Sequence, residues 1–220
     1  RDVTTCEATA QMLRKAERDG VETAFHRAAD MKACPIGADS ACCKHCAMGP
    51  CRLNSKDPYA KVGVCGATID TIQSRNFGRM VACGGAAHTD HGMSMLDLFR
   101  EVVNGNIKDY QIKDTTKLEE VAKELGIEVE GRELKDVAMD LYKELERTYT
   151  QVEGEIPFVK RVPPKTLETW RKHGIVPRGA MRELMEIMHR THMGVDQDYE
   201  NITKQLSRTA LSDGWGGSMV

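Results

Sequence analysis

Residues 34–51 read "CPIGADSACCKHCAMGPC", and this stretch holds five of the chain's eight cysteines, with a sixth at Cys65. Pro35, Gly37, Gly49 and Pro50 interrupt it, and Pro58, Gly63 and Gly66 continue the interruption across residues 31–66. No apolar period survives there, so the segment cannot hold itself together by burial, and something bound must organise it. Disulfides fit poorly. The cysteines are concentrated in one short span, adjacent Cys42 and Cys43 make awkward simultaneous partners, and the rest of the chain is long enough to hold a core. Ligated metal in a reducing compartment fits better.

Outward from this segment the pattern is helical. Residues 7–30 carry Ala8, Met12, Ala16, Val21, Ala24 and Ala28 at helical spacing, with Gly20 as a break. Helical patterning resumes in "ATIDTIQSRNFGRM" (67–80) and again in "HTDHGMSMLDLFREVVNG" (88–105), the latter starting near His88 or Thr89 and stopping at Gly105. Residues 115–125 form a further helix, capped by Thr115 or Thr116 and ended by Gly126. Over 132–149, Leu134, Val137, Ala138, Leu141 and Leu145 make one stripe opposite a solvated charged face. A loop over 154–166 precedes two last helices in 177–194 and 198–211, the first with Met181, Leu184, Met185 and Met188 as its core face. No strand with a period of two is visible. The expected fold is all-α, one helical domain over 1–220 with an irregular cysteine-rich loop at 34–65.

The bulk composition excludes several functions. The chain of 220 residues is 40% hydrophobic and 29% charged, with a net charge of -2, which gives no electrostatic reason for a nucleic-acid partner. No apolar run approaches a membrane span, and "RDVTTCEATAQMLRKAERDG" has no signal-peptide pattern, so a cytoplasmic location is expected. A start at Arg1 and an end at "SDGWGGSMV" suggest a piece of a longer protein.

Cys43, Cys46, Cys51 and Cys65 form C-x2-C-x4-C-x13-C, short spacings for neighbouring corners of a site and a distant thiol to close it. Only one C-x2-C pair is present, which favours iron–sulfur over zinc while leaving zinc as the alternative. Lys44, Arg52, Lys56 and Lys61 outnumber Asp39 and Asp57 around the thiols, as a net-negative metal complex requires. Cys34 and Cys42 remain. Two thiols cannot complete a site, but a twofold axis would double them into a cluster shared by a homodimer; the rival reading is a pair of buried thiols. His45 reads as a hydrogen-bonding neighbour of the site or a surface group, His189 and His192 as packing residues, and Cys6 and Cys83 as inert buried thiols.

"CPIGADSACCKHCAMGPCR", "KVGVCGAT" and "MHRTHMGVD" together resemble the N-terminal helical domain of anaerobic nickel-containing carbon monoxide dehydrogenases, over essentially the whole chain. The resemblance implies an oxidoreductase that interconverts CO and water with CO2, two electrons and two protons. It implies that Cys43, Cys46, Cys51 and Cys65 hold the subunit's own 4Fe–4S cluster, and that Cys34 and Cys42 supply half of an intersubunit 4Fe–4S cluster. The nickel–iron–sulfur centre would lie in later α/β domains outside this chain, so the chain itself carries electron transfer and dimerisation. A ferredoxin-like carrier, and in some relatives acetyl-CoA synthase, would be the partners. The family's run of helical histidines survives only as His88 and His91, with Ser94 and Asp97 next; a proton relay is one reading, and capping or packing near a helix start is the simpler one. A hybrid-cluster-protein relative and a structural zinc-binding interaction module are the alternatives.

Overall fold

Thr68 begins the element around which the rest is arranged. The computed structural model describes residues 3–53, 56–57 and 59–219, and numbering its elements in chain order makes Ile69–Val103 helix α4, 35 residues and therefore roughly 52 Å long. The Thr68 hydroxyl accepts the Thr71 N–H at its N-terminus (3.3 Å). Arg75, Gly78, Ala82, Gly85, Thr89, Gly92, Leu96 and Val103 are all buried, a stripe at alternating three- and four-residue steps (with seven between the last two). The sequence predicts two helices here, broken between residue 80 and His88. The structure has one helix, and Thr89 lies buried in its middle, capping nothing. Gly85 does not break it because it serves a close helix contact: a Cβ there would lie 3.2 Å from Leu184, and one at Gly78 would lie 3.0 Å from Ile187.

Three helices precede α4: α1 (Glu7–Arg18), α2 (Ala24–Asp30) and the single turn α3 (Pro35–Ala38). Gly20, at φ +67°, separates the first two, as the sequence predicts. After α4 come α5 (Thr115–Glu124), α6 (Leu134–Thr150), a 3-10 turn (Pro157–Arg161), α7 (Pro164–His173), α8 (Ala180–Arg190) and α9 (Tyr199–Met219). The cap of α5 is Asp114, whose carboxylate accepts the Lys117 N–H at 2.9 Å, so Thr115 and Thr116 are the first helical residues instead. Helix α7 begins at Pro164, inside the loop expected over 154–166, and runs on to His173 through residues to which the sequence reading assigns no element.

The main core joins the C-terminal half of α4 to α5, α6 and Trp215 of α9, whose indole N–H donates to the Thr148 hydroxyl at 3.0 Å. A second core packs Ala82 of α4 on Ile187 of α8 and on Ile202 and Leu206 of α9. The α6 stripe is buried as predicted, with Leu134 partly so. The methionine face of α8 is a correction. Met181, Met185 and Met188 are exposed, and the helix buries Ala180, Glu183 and Ile187. Its inward face is set by an internal ion pair, which hydrophobic spacing does not reveal.

The fold is not strictly all-α. Cys42–Cys43 (β1) and Cys51–Arg52 (β2) form a two-stranded antiparallel sheet with Cys42 opposite Arg52 and Cys43 opposite Cys51. Two-residue strands show no alternation in a sequence; they form here because the cysteine loop folds back on itself, and the Leu53 N–H to Ala41 carbonyl bond (2.9 Å) extends the pairing. This sheet sits on the first turns of α4 through Ala41, Leu53, Ala67, Ile69 and Ile72, a small third core. Pro58, read as a breaker in the sequence, lies outside the described residues. Among the described residues no helix is long and apolar enough to cross a membrane.

Candidate metal centre

In a strand, successive side chains leave opposite faces, and cross-strand partners share one. The Cys43–Cys51 pair therefore puts two thiols side by side on the inner face of the sheet, while Cys42 and Arg52 share the outer face. Cys46 comes from the turn between the strands. That turn is closed by Gly49, where a Cβ would lie 3.0 Å from the Cys43 carbonyl oxygen and 3.3 Å from the Cys51 nitrogen, so a side chain has no room. Cys65 is presented from a second turn, tied by Gly63 N–H to the Ala67 carbonyl and Gly66 N–H to the Gly63 carbonyl, both 2.8 Å. The four thiols line one pocket, together with His45, Val64, Ile72 and Arg75.

Two donors reach the sulfurs of this pocket. The Val64 N–H donates to Cys51 Sγ (3.4 Å) and Arg75 Nη1 to Cys65 Sγ (3.6 Å). Burial pushes the Cys65 thiol up, but the Arg75 guanidinium, the Ala67 N–H and Gln197 outweigh it and leave the group below the ordinary thiol value. Cys43 is pushed up by burial. His45 Nε2 bonds Asn76 Oδ1 at 2.8 Å, and the Asn76 amide reaches back to the carbonyls of Ser40 and Cys42, so His45 helps to fasten the cage to α4. Burial first, and then the Arg79 charge, lower the His45 pKa. Among the described residues no three His, Cys, Asp or Glu side chains converge to hold a single metal ion. The all-cysteine donor set and the buried Arg75 beside it fit an iron–sulfur cluster.

Cys34 and Cys42 stand apart from this pocket. Cys34 is exposed at the start of α3, and the N–H groups of Gly37 and Ile36 lower its thiol pKa with help from Arg52 and Lys44. Arg52 is also the cross-strand neighbour of Cys42, so its charge acts on Cys34 and lies beside Cys42. Residues 3–33 bury no side chain at all, and Met12, Val21, Phe25 and Met31 are exposed there.

The remaining candidates do not join either site. His88 Nδ1 pairs with Asp213 of α9 at 2.6 Å, His91 is exposed, and both lie in mid-helix, so neither caps α4. Ser94 donates to the Asp90 carbonyl and Asp97 pairs with Arg100. His189 and His192 are exposed and hold no packing position. Cys6 and Cys83 are exposed too, against the expectation of buried thiols. Cys6 precedes the first turn of α1, and Cys83 falls outside the buried stripe of α4. Two charges close to the cage were missed by sequence reasoning: Arg75 and Arg79, one turn apart on α4. Their only signal is the i, i+4 repeat of a like charge, and tertiary structure alone connects it to the cysteines.

The profile of the Prismane/CO dehydrogenase family matches residues 41–220. The chain belongs to that family. This family member is 44% identical over 214 residues to carbon monoxide dehydrogenase 1 of Methanosarcina mazei, across 97% of the chain and 34% of the relative. It is 38% identical to carbon monoxide dehydrogenase 2 of Carboxydothermus hydrogenoformans, over 95% of the chain and 33% of the relative. It superposes with a TM-score of 0.87 and 39% identity on the nickel-free, as-isolated carbon monoxide dehydrogenase of Thermococcus sp. AM4, covering 99% of this chain and 35% of that one. The family member thus spans about a third of the length of the relatives it matches.

Proposed function

We infer that the chain is the electron-transfer and dimerisation part of a carbon monoxide dehydrogenase, with residues 1–220 as one helical domain. The observation that carries this is the placement of four thiols around one pocket while Cys42 lies opposite Arg52 on the other face of the sheet and Cys34 is exposed. Cys43, Cys46, Cys51 and Cys65 would hold a 4Fe–4S cluster private to the subunit. Cys34 and Cys42 would meet the same pair of a second copy at a twofold axis and hold a shared 4Fe–4S cluster. The unburied surface of residues 3–33 supports an interface on this side. Such clusters supply one-electron transfer. The chain's own residues space the thiols and donate to sulfur from Val64 and Arg75.

CO and water would be converted to CO2, two electrons and two protons at a nickel–iron–sulfur centre outside this chain, and the electrons would leave to a ferredoxin-like carrier. Acetyl-CoA synthase is a further proposed partner, since a relative from Moorella thermoacetica is named as a carbon monoxide dehydrogenase/acetyl-CoA synthase subunit. His88 and His91 stay candidates for the start of a proton path on spacing alone, with His88 already engaged by Asp213. A cytoplasmic setting fits the thiol chemistry.

Joint replacement of Cys34 and Cys42 by serine in the full-length protein tests the sharing. The expected result is a loss of about two irons per subunit, half of a shared cubane, and dissociation of the dimer in sedimentation. A loss of about four irons per subunit would contradict sharing, and no loss would contradict ligation.

A further inference from the structure

Arg75 is a full positive charge sealed inside the protein, 1% exposed. Its Nη2 donates to the Asp196 carbonyl at 2.6 Å, its Nη1 points at Cys65 Sγ, and its buried Nε has no hydrogen-bond partner. Among the described residues no carboxylate pairs with it. Arg79, one turn further along the same face, donates to the Thr191 hydroxyl at 3.1 Å and also lacks a carboxylate. Two like charges at i, i+4 repel, and a buried cation without a counter-ion is strongly unfavourable. The nearby arginines show the usual solution: Arg178, Arg182 and Arg190 each pair with Glu183, Glu186 or Asp196. Among the described residues Arg75 is the one buried arginine, and neither it nor Arg79 has such a partner.

We propose that Arg75 is the buried counter-charge of an anionic metal–thiolate cluster on Cys43, Cys46, Cys51 and Cys65, and that it raises that cluster's reduction potential. The inference rests on reading those four cysteines as cluster ligands. Four thiolates around an iron–sulfur core give a net negative complex, which gains one more negative charge on reduction. A fixed cation at the Cys65 sulfur stabilises the reduced form more than the oxidised one. Arg79 adds a weaker contribution from the next turn, and its charge reaches Cys43. Arg75 also ties the cage to the segment between α8 and α9 through Asp196. Gln197 makes a parallel tie by donating to the Cys65 carbonyl (2.8 Å) and accepting from the Thr71 hydroxyl (2.7 Å). A purely structural role would therefore need only the tie, and an electrostatic role needs the charge.

The test compares Arg75→Gln with Arg75→Lys in full-length, anaerobically purified protein, by redox titration of the cluster's paramagnetic signal. The signal is assigned by its absence in Cys51→Ala. At a fixed potential near the midpoint, Arg75→Gln should lower the ratio of reduced to oxidised cluster about tenfold, about 59 mV for a one-electron couple, while Arg75→Lys stays within about twofold of the parent. Loading in Arg75→Lys with an unloaded Arg75→Gln would equally support a requirement for charge. The proposal is overturned if Arg75→Gln carries the cluster at the parental potential, if the two variants shift equally, or if neither loads, which would make geometry the need. A parent whose signals all survive in Cys51→Ala would overturn the four-cysteine reading and the proposal with it, whereas the preceding outcomes overturn the proposal alone.

Discussion

Replacement of Cys51 by alanine is expected to remove about four irons from each subunit and to loosen the whole cysteine loop. Cys51 stands opposite Cys43 in the sheet, receives the Val64 N–H, and packs with Ile36 and Cys65 against the small core of Ala41, Leu53 and Ile72. That core is too slight to hold the loop by burial, so loss of one ligand removes both the cluster and the cross-link that orders its polypeptide. Iron analysis reads the first effect and limited proteolysis between residues 31 and 66 reads the second. Cys83→Ala, at an exposed position on α4, should change neither. An unchanged iron content in Cys51→Ala would remove the cysteine from the ligand set.

Arg178→Met is expected to cost about 3–5 kcal/mol of stability, the usual loss when one partner of a buried ion pair is removed. The Glu183 side chain is fully buried, and its carboxylate accepts from Arg178 Nε at 3.0 Å, Arg178 Nη2 at 2.9 Å and Gln205 Nε2 at 2.7 Å. Without the guanidinium a carboxylate stays inside with too little compensation. The same arginine faces Glu186, whose carboxyl is pushed up by burial but held below its ordinary value by Arg178 and Arg190. A lowered folded-state pKa stabilises the native protein above the unfolded value of 4.5, and that contribution fades as pH falls through the lowered one. The parent should therefore lose stability below about pH 4.5, and Arg178→Met should lose less over the same interval. Urea unfolding at neutral and acid pH measures both; a neutral-pH loss under about 1 kcal/mol would show that the pair contributes little.

Helix α6 was legible because Val137, Leu141 and Leu145 are large and apolar. The single helix α4 was not, because its buried stripe consists of Gly78, Ala82, Gly85, Thr89 and Gly92, small residues that allow close approach and carry little hydrophobic signal. On α8 the sequence misleads in the other direction: its methionines are spaced like a core face, yet Glu183 with its arginine occupies the inside. The cysteine spacing disclosed the four-thiol set and its two outliers without structure. What spacing could not show is that β1 turns Cys42 and Cys43 to opposite faces, or that Arg75 lies behind Cys65, since both depend on contacts between distant segments.

The central claim is that Cys43, Cys46, Cys51 and Cys65 hold an iron–sulfur cluster. Its most direct measurement is the metal and acid-labile sulfide content of the anaerobically purified full-length protein against its Cys43→Ala, Cys46→Ala, Cys51→Ala and Cys65→Ala variants. The account predicts that each variant loses about four irons and four sulfides per subunit, together with part of a visible absorption that reductant bleaches. A loss of one zinc per subunit with iron and sulfide unchanged would contradict it.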